Sequence, residues 1–116
     1  MQWIKKGLLF CPDGKSTWNQ RGYAHVVCAD TSYEDKIRLY YSARDNQGRC
    51  QASFIDLDSN NLSKVIYVHP EPILDLGVPG TFDDCGIMPT WFMQNGEEKW
   101  LYYIGWTVRN TIPYHN

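Results

Sequence analysis

Two segments of the chain repeat one strand pattern, and this repeat restricts the possible folds more than any other feature of the sequence. Residues 22–45 and 86–107 each open on glycine, run through an apolar strand and a polar turn, and return on a strand that carries Leu-Tyr-Tyr. The two Leu-Tyr-Tyr triplets begin at Leu39 and at Leu101. A repeat of this size, built from short strands, is typical of stacked sheet units such as propeller blades.

The alternation of apolar and polar residues predicts an all-β chain, with one four-stranded antiparallel blade and a partial second blade. No stretch has helical periodicity. The first blade is predicted over residues 22–68, after an N-terminal segment of residues 1–21. The six predicted strands are Tyr23–Ala29, Lys36–Ala43, Cys50–Leu57, Lys64–Val68, Ile87–Met93 and Lys99–Val108.

A segment rich in proline and glycine, residues 69–84, separates the two units. It cannot form a regular strand, because proline breaks the hydrogen-bond ladder. It is therefore predicted to be a crossover that delivers Asp83 and Asp84 to the start of the next strand. Residues 85–116 are predicted to form the partial second blade of a single domain, and the repeat predicts two more strands where the sequence stops.

Composition narrows the classes of function. The formal net charge of −2 gives no reason to expect a nucleic-acid partner. No apolar run approaches the ~18 residues of a membrane-spanning helix, and the N-terminus lacks the pattern of a signal peptide, so a cytoplasmic protein without a membrane partner is expected. The scattered cysteines predict free thiols, with neither a metal site nor a cofactor. They are Cys11, Cys28, Cys50 and Cys85.

The carboxylate pair Asp83 and Asp84 is the sharpest candidate for chemistry. Paired carboxylates after a crossover suit general acid–base work or the binding of sugar hydroxyls. Adjacent residues of a strand point to opposite faces, so only one of the two is expected to face a site. The alternative is an Asx-type turn, in which an aspartate accepts hydrogen bonds from nearby backbone N–H groups.

Five further residues are candidates, each with a structural alternative. Arg44 and Asp45 end a strand and either line a pocket or form a surface ion pair at a hairpin. His25 is either a ligand contact or, as is more common within a strand, a hydrogen-bonded structural residue. Arg109 either reaches an anionic ligand group or is solvated. Trp106 either stacks on a sugar or fills space between the blades.

Four runs of sequence carry a family resemblance: Trp3–Phe10, Ile37–Asp45, Gly80–Pro89 and Leu101–Trp106. Together they resemble bacterial glycosidase-like proteins related to the five-bladed β-propeller glycoside hydrolases and phosphorylases, families 43 and 130 and their relatives. The run Gly-Thr-Phe-Asp-Asp-x-Gly-x-Met-Pro is the most specific of the four. On this resemblance the chain is a truncated five-bladed propeller.

The resemblance implies a sugar site at one end of a central channel, where carboxylates from successive blades meet. Asp84, or Asp83, matches the acidic residue that the second blade offers. Arg44 and Asp45 match a polar pair at the end of a first-blade strand, and His25 lies on the innermost strand of that blade.

The chain also departs from the family pattern. The family's general acid typically comes from a third blade, which is missing here, and Val27-Cys28-Ala29 stands where the family favours Pro-Phe-Ala. We therefore expect a self-associating module that binds a saccharide weakly, without complete catalytic machinery. One alternative is an active carbohydrate enzyme that uses Asp83 or Asp84 with Asp45, in a site completed by oligomerisation. The other is an interaction fragment without a ligand.

Overall fold

The structure is a computed structural model that describes residues 2–111, and this range contains six β-strands and no helix. The strands are β1 His25–Asp30, β2 Lys36–Arg44, β3 Cys50–Asp58, β4 Asn61–Val68, β5 Gly86–Asn95 and β6 Glu98–Trp106. The all-β class is confirmed, and every predicted strand overlaps an observed one. The last five residues of the predicted second blade, 112–116, lie outside the described residues.

The strands form one open mixed sheet. Strands β1 to β4 pair antiparallel in chain order, as the meander predicts. Strand β5 pairs parallel with β3 through one bridge, Cys50 to Gly86, and β6 pairs antiparallel with β5. The sheet order is therefore β1-β2-β3-β5-β6, with β4 beside the other half of β3.

Two tight turns set the register of the hairpins. Asp45 accepts hydrogen bonds from the backbone N–H of Arg49 at 2.9 Å and from its Nε at 2.7 Å, which closes the loop between β2 and β3. Gly48 in that loop has a φ of 85°, which glycine adopts without steric cost. The loop between β5 and β6 is the pair Gly96 and Glu97, one residue later than the predicted Asn95-Gly96 turn.

The N-terminal segment completes the hydrophobic core. Trp18 is 4% exposed, and its indole N–H donates a hydrogen bond to the carbonyl of Pro70 at 3.1 Å. The Phe10 ring meets the Tyr41 ring edge-on, with 5.3 Å between centroids. The buried core cluster consists of Trp18, Tyr41, Ala43, Ile55 and Leu57.

A buried carboxylate ties β2 to β3 at one end of the sheet. Asp56 is 3% exposed and accepts hydrogen bonds from Arg38 Nε at 2.8 Å, Arg38 Nη2 at 3.0 Å and Lys36 Nζ at 3.0 Å. Burial opposes ionisation of Asp56, but the hydrogen bonds from Arg38 and Lys36 outweigh it and hold the pKa of the carboxyl below its ordinary value. The two parallel hydrogen bonds from Arg38 fix the orientation of its side chain and the position of its charge.

A second buried carboxylate joins the two strands that are furthest apart in the sheet order. Asp30, at the end of β1, is fully buried and accepts a hydrogen bond from Lys99 Nζ of β6 at 3.0 Å. Its other oxygen accepts from the backbone N–H and the hydroxyl of Ser32. On the same side, Ser42 of β2 donates to the carbonyl of Ile87 of β5 at 3.1 Å. The β5–β6 hairpin therefore packs back over β1 and β2 as a second layer.

We expect Asp56→Asn to lower the free energy of unfolding by about 2 to 3 kcal/mol. This value lies at the low end for a broken buried ion pair because the Arg38 side chain keeps 19% exposure and can be partly solvated. Urea denaturation measures the change. The exposed Asp13→Asn is the matched control and should stay within about 0.5 kcal/mol of the parent chain. Equal effects of the two variants would show that the Asp56 network contributes little.

Acid should destabilise the chain through Asp30 and Asp56. Burial raises and hydrogen bonds lower the pKa of each, and the net pKa of each carboxyl is lowered. Their stabilisation is therefore fully present above the unfolded pKa of about 3.9 and is lost as the pH falls through the folded pKa. The unfolding free energy should fall below about pH 4, and less steeply in Asp56→Asn. Identical pH slopes in the two chains would refute this account.

Candidate functional site at one end of the sheet

Five strand ends meet at the end of the sheet opposite the buried ion pairs. The register pairs Arg44 with Cys50, Cys50 with Gly86, and Gly86 with Trp106, so that β2, β3, β5 and β6 all begin or end in one row. Strand β1 begins beside this row, at His25. We call this surface, defined by His25, Arg44, Cys50, Gly86 and Trp106, the Gly86 end of the sheet.

Arg44 is the charged centre of the Gly86 end. Its Nε donates a hydrogen bond to Cys50 Sγ at 3.2 Å, and its guanidinium carbon lies 5.8 Å from the ring centre of Trp106. Within residues 2–111 it forms no salt bridge with a carboxylate. The guanidinium therefore keeps an unneutralised positive charge at a half-buried position.

His25 stands beside the same thiol. Its Nε2 lies 3.7 Å from Cys50 Sγ, and its ring is 5.6 Å from that of Tyr23. Burial and, secondarily, the charge of Arg44 lower the pKa of His25 below its usual 6.5. The imidazole is therefore neutral at neutral pH and can both donate and accept a hydrogen bond.

A bulge in β1 directly follows His25. The register with β2 shifts between His25 and Cys28, and Val26 in this bulge has a φ of 48°. A β-branched residue is rarely found in that left-handed region, because its side chain crowds the backbone. Bulges bend a strand and redirect a neighbouring side chain, and they are frequent beside functional sites.

Glycine allows Trp106 and the crossover to sit close to the sheet. A Cβ placed on Gly86 would collide with the indole of Trp106, and one placed on Gly105 would collide with the Phe82 ring and with Asp83. A larger residue at either position would therefore displace the aromatic ring beside it.

Asp83 organises the crossover. Its carboxylate accepts hydrogen bonds from the Thr81 hydroxyl at 2.9 Å and from the Tyr103 hydroxyl at 3.1 Å. Its backbone carbonyl accepts from the N–H groups of Gly77 and Gly86, both at 3.3 Å. These contacts agree with the turn-forming alternative raised from the sequence, and the catalytic role predicted for Asp83 stays a prediction.

Asp84 is held as a carboxylate next to the Gly86 end. The Thr107 hydroxyl, the backbone N–H of Gly80 and Cys85 lower the pKa of Asp84, and the charge of Arg109 adds to the effect. The Gly80 N–H donates to Oδ2 at 2.7 Å. Arg109 is itself exposed. Asp84 is thus ionised at neutral pH, where it can accept hydrogen bonds but has no proton to donate.

The structure brings together three of the seven predicted site residues. It brings together His25, Arg44 and Trp106, and it puts Asp84 two residues before Gly86. Asp45 pairs with Arg49 and not with its neighbour Arg44, and Arg49 occupies both of its carboxylate oxygens. The catalytic role predicted for Asp45 stays a prediction that these contacts do not support.

Sequence reasoning missed Cys50 and Thr107. The sequence predicts only a free thiol at Cys50, yet its Sγ contacts both His25 and Arg44. The sequence does contain a signal for this contact. The loop that Asp45 closes fixes the register, and this register puts Cys50 opposite Arg44. Thr107 follows the predicted Leu-Tyr-Tyr strand without any distinguishing pattern, so its effect on Asp84 needed the structure.

Two clefts among the described residues lie away from the Gly86 end. A cleft of about 380 Å³ is lined by Phe10, Trp18 and Tyr41, among others, and one of about 500 Å³ is lined by Arg38 and Tyr67 with their neighbours. Residues 2–111 contain no group of three or more histidine, cysteine or acidic side chains arranged to hold a metal ion.

Two other findings bear on the sequence analysis. All four cysteines lie in the described range, and the structure pairs none of them in a disulfide. No helix in the described part of the chain is long and apolar enough to cross a bilayer.

Comparison with known proteins finds two relatives, and their names state no activity. No known protein family and no solved structure match the chain. Two proteins of Mycobacterium tuberculosis do match: uncharacterized protein MT1551 of strain CDC 1551 / Oshkosh and uncharacterized protein Rv1502 of strain ATCC 25618 / H37Rv. Each is 34% identical over all 116 residues of this chain. The chain spans 38% of the length of each of these relatives.

We expect Arg44→Gln to raise the pKa of His25 toward its usual 6.5, because the substitution removes a positive charge that disfavours the imidazolium. An NMR titration of the His25 ring protons measures this shift. Arg49→Gln is the control, since Arg49 pairs with Asp45 on the same hairpin. If both variants moved the His25 titration equally, the effect would come from the hairpin and not from the Arg44 charge.

Proposed function

We propose that the chain is a saccharide-binding module of the propeller type and that its ligand binds at the Gly86 end of the sheet. The observation that carries the proposal is the convergence of an unneutralised guanidinium, a neutral imidazole and an indole where five strand ends meet. These groups belong to Arg44, His25 and Trp106. The ionised Asp84 lies two residues before Gly86 in the sequence.

The chemistry of these groups suits a neutral ligand with many hydroxyl groups. Arg44 offers several N–H donors in a fixed fork, and Asp84 offers Oδ2 as an acceptor, since its Oδ1 is buried. His25 is neutral, so its ring can donate a hydrogen bond to a hydroxyl group or accept one from it. Sugar rings also present C–H faces that pack on aromatic rings, and the partly buried Trp106 can supply such a surface with the exposed part of its ring.

The same contacts favour binding over hydrolysis. A glycosidase needs a carboxylic acid whose pKa is raised, so that it still holds a proton near neutral pH. The surroundings of Asp84 do the reverse and lower its pKa. Both oxygens of Asp45 are occupied by Arg49. The alternative, an active carbohydrate enzyme completed by a second chain, would need its acid from elsewhere.

Two features support the propeller arrangement. The first four strands form an antiparallel meander, as in a blade, and the β5–β6 hairpin packs over it as a neighbouring unit would. The resemblance carried by Gly80–Pro89 points to the same architecture. The cytoplasmic location inferred from the sequence remains a prediction.

We expect saccharides to bind weakly and without turnover. In ¹⁵N NMR titrations with glucose, galactose, mannose and their short oligosaccharides, amides of residues 80–86 and of Trp106 should shift. Asp84→Asn should weaken this binding about tenfold, as expected for the loss of a charge-assisted hydrogen bond. Chromogenic glycosides of the same sugars should be hydrolysed no faster than in buffer.

The control for this titration is Asp13→Asn, which removes an exposed carboxylate paired with Lys15 and should leave the affinity unchanged. Shifts confined to the cleft around Arg38 and Tyr67 would refute the proposed site. Turnover of a chromogenic glycoside that Asp84→Asn abolishes would refute the claim of inactivity and favour the enzyme alternative.

A further inference from the structure

The β5–β6 hairpin exposes a contiguous apolar surface on one side. Trp91 is 65% exposed and lies opposite Tyr102, which is 46% exposed, while Met93 lies opposite Trp100. Residues two apart on a strand point to the same face, so that these side chains form one surface. We call it the aromatic face, defined as Trp91, Met93, Trp100, Tyr102 and Ile104.

The internal repeat indicates what kind of surface should pack against the aromatic face. Tyr40, in the first Leu-Tyr-Tyr triplet, is half-buried, and its ring stacks at 6.3 Å on Phe92 from the second unit. Tyr102 is the equivalent residue of the second triplet, and it is exposed. The first unit is thus covered by a β-sheet layer at the position where the second unit is open.

The area of the aromatic face is large enough for a specific interface. Large apolar side chains bury about 150–250 Å² each, so five of them at their present exposure offer roughly 500 Å² per chain. Two such faces together would bury about 1,000 Å², the lower limit for a specific protein–protein contact. A patch of this size is near the upper end of those on typical monomers, and such patches often mark interaction sites.

We infer that the aromatic face is the contact surface between two copies of this chain, packed face to face about a two-fold axis. A second copy would cover the aromatic face with another sheet layer that carries aromatic side chains, much as the β5–β6 hairpin covers Tyr40. An apolar face is complementary to itself, as a two-fold contact requires. This inference is independent of saccharide binding, because Asp84 and Arg44 are not part of the aromatic face.

Sedimentation equilibrium from low to high micromolar concentration tests the inference, with Tyr102→Lys and, separately, Trp91→Lys as variants. The parent chain should pass from monomer to dimer, and each variant should weaken the dimer at least about tenfold. The matched control is Ile66→Lys, which adds the same charge at a 46% exposed residue of β4 and should leave the dimer intact. Urea denaturation checks that each variant folds.

Tryptophan fluorescence gives a second reading that does not depend on mass. Burial of Trp91 and Trp100 should shift the emission to shorter wavelength as the concentration rises, and Tyr102→Lys should abolish that shift. A parent chain that stays monomeric up to high micromolar concentration would overturn the inference. So would assemblies that Ile66→Lys breaks and Tyr102→Lys does not, because β4 would then form the contact.

Discussion

The fold depends on two carboxylates that are buried at the same end of the sheet. Asp56 holds β2 and β3 in register through Arg38, and Asp30 ties β1 to β6 through Lys99. The Tyr33 ring contacts both pairs. Its centre lies 3.5 Å from Lys99 Nζ and 5.3 Å from the Arg38 guanidinium carbon. Removing either partner would leave a poorly solvated charge, so each pair is costly to break even where its net contribution to stability is small. The Asp30–Lys99 pair ties the β5–β6 hairpin to β1, and the Tyr33 ring links this pair to the Asp56 network.

The opposite end of the sheet is where we propose that a ligand binds. There β3 and β5 are joined by a single parallel bridge between Cys50 and Gly86, and the charge of Arg44 has no carboxylate partner among the described residues. Hydrogen bonds at the two ends have different consequences. Both oxygens of Asp56 accept from cationic side chains, whereas at Asp84 the backbone N–H of Gly80 donates to Oδ2 and Oδ1 is buried.

The sequence predicted the strands well because their signals are local. Alternation along β2 and the turn residues from Asp45 to Gly48 fix one hairpin, and the second Leu-Tyr-Tyr triplet fixes β6. The ion pairs could not be predicted, since Lys99 and Asp30 are 69 residues apart and meet only through the packing of two layers. The approach of Cys50 to Arg44 required an exact register, and nothing in the local pattern marks the bulge after His25.

The second Leu-Tyr-Tyr triplet shows how one strand can serve two surfaces. Side chains alternate along β6. Tyr103 points to the crossover, and its hydroxyl donates a hydrogen bond to Asp83. Tyr102 points the opposite way and belongs to the aromatic face. A change at Tyr103 would therefore disturb the loop that carries Asp84, whereas a change at Tyr102 would affect only the apolar surface. Substitutions at Asp84 and at Tyr102 therefore test ligand binding and self-association separately. The alternation also explains why Tyr102 is exposed while Tyr103 is partly buried.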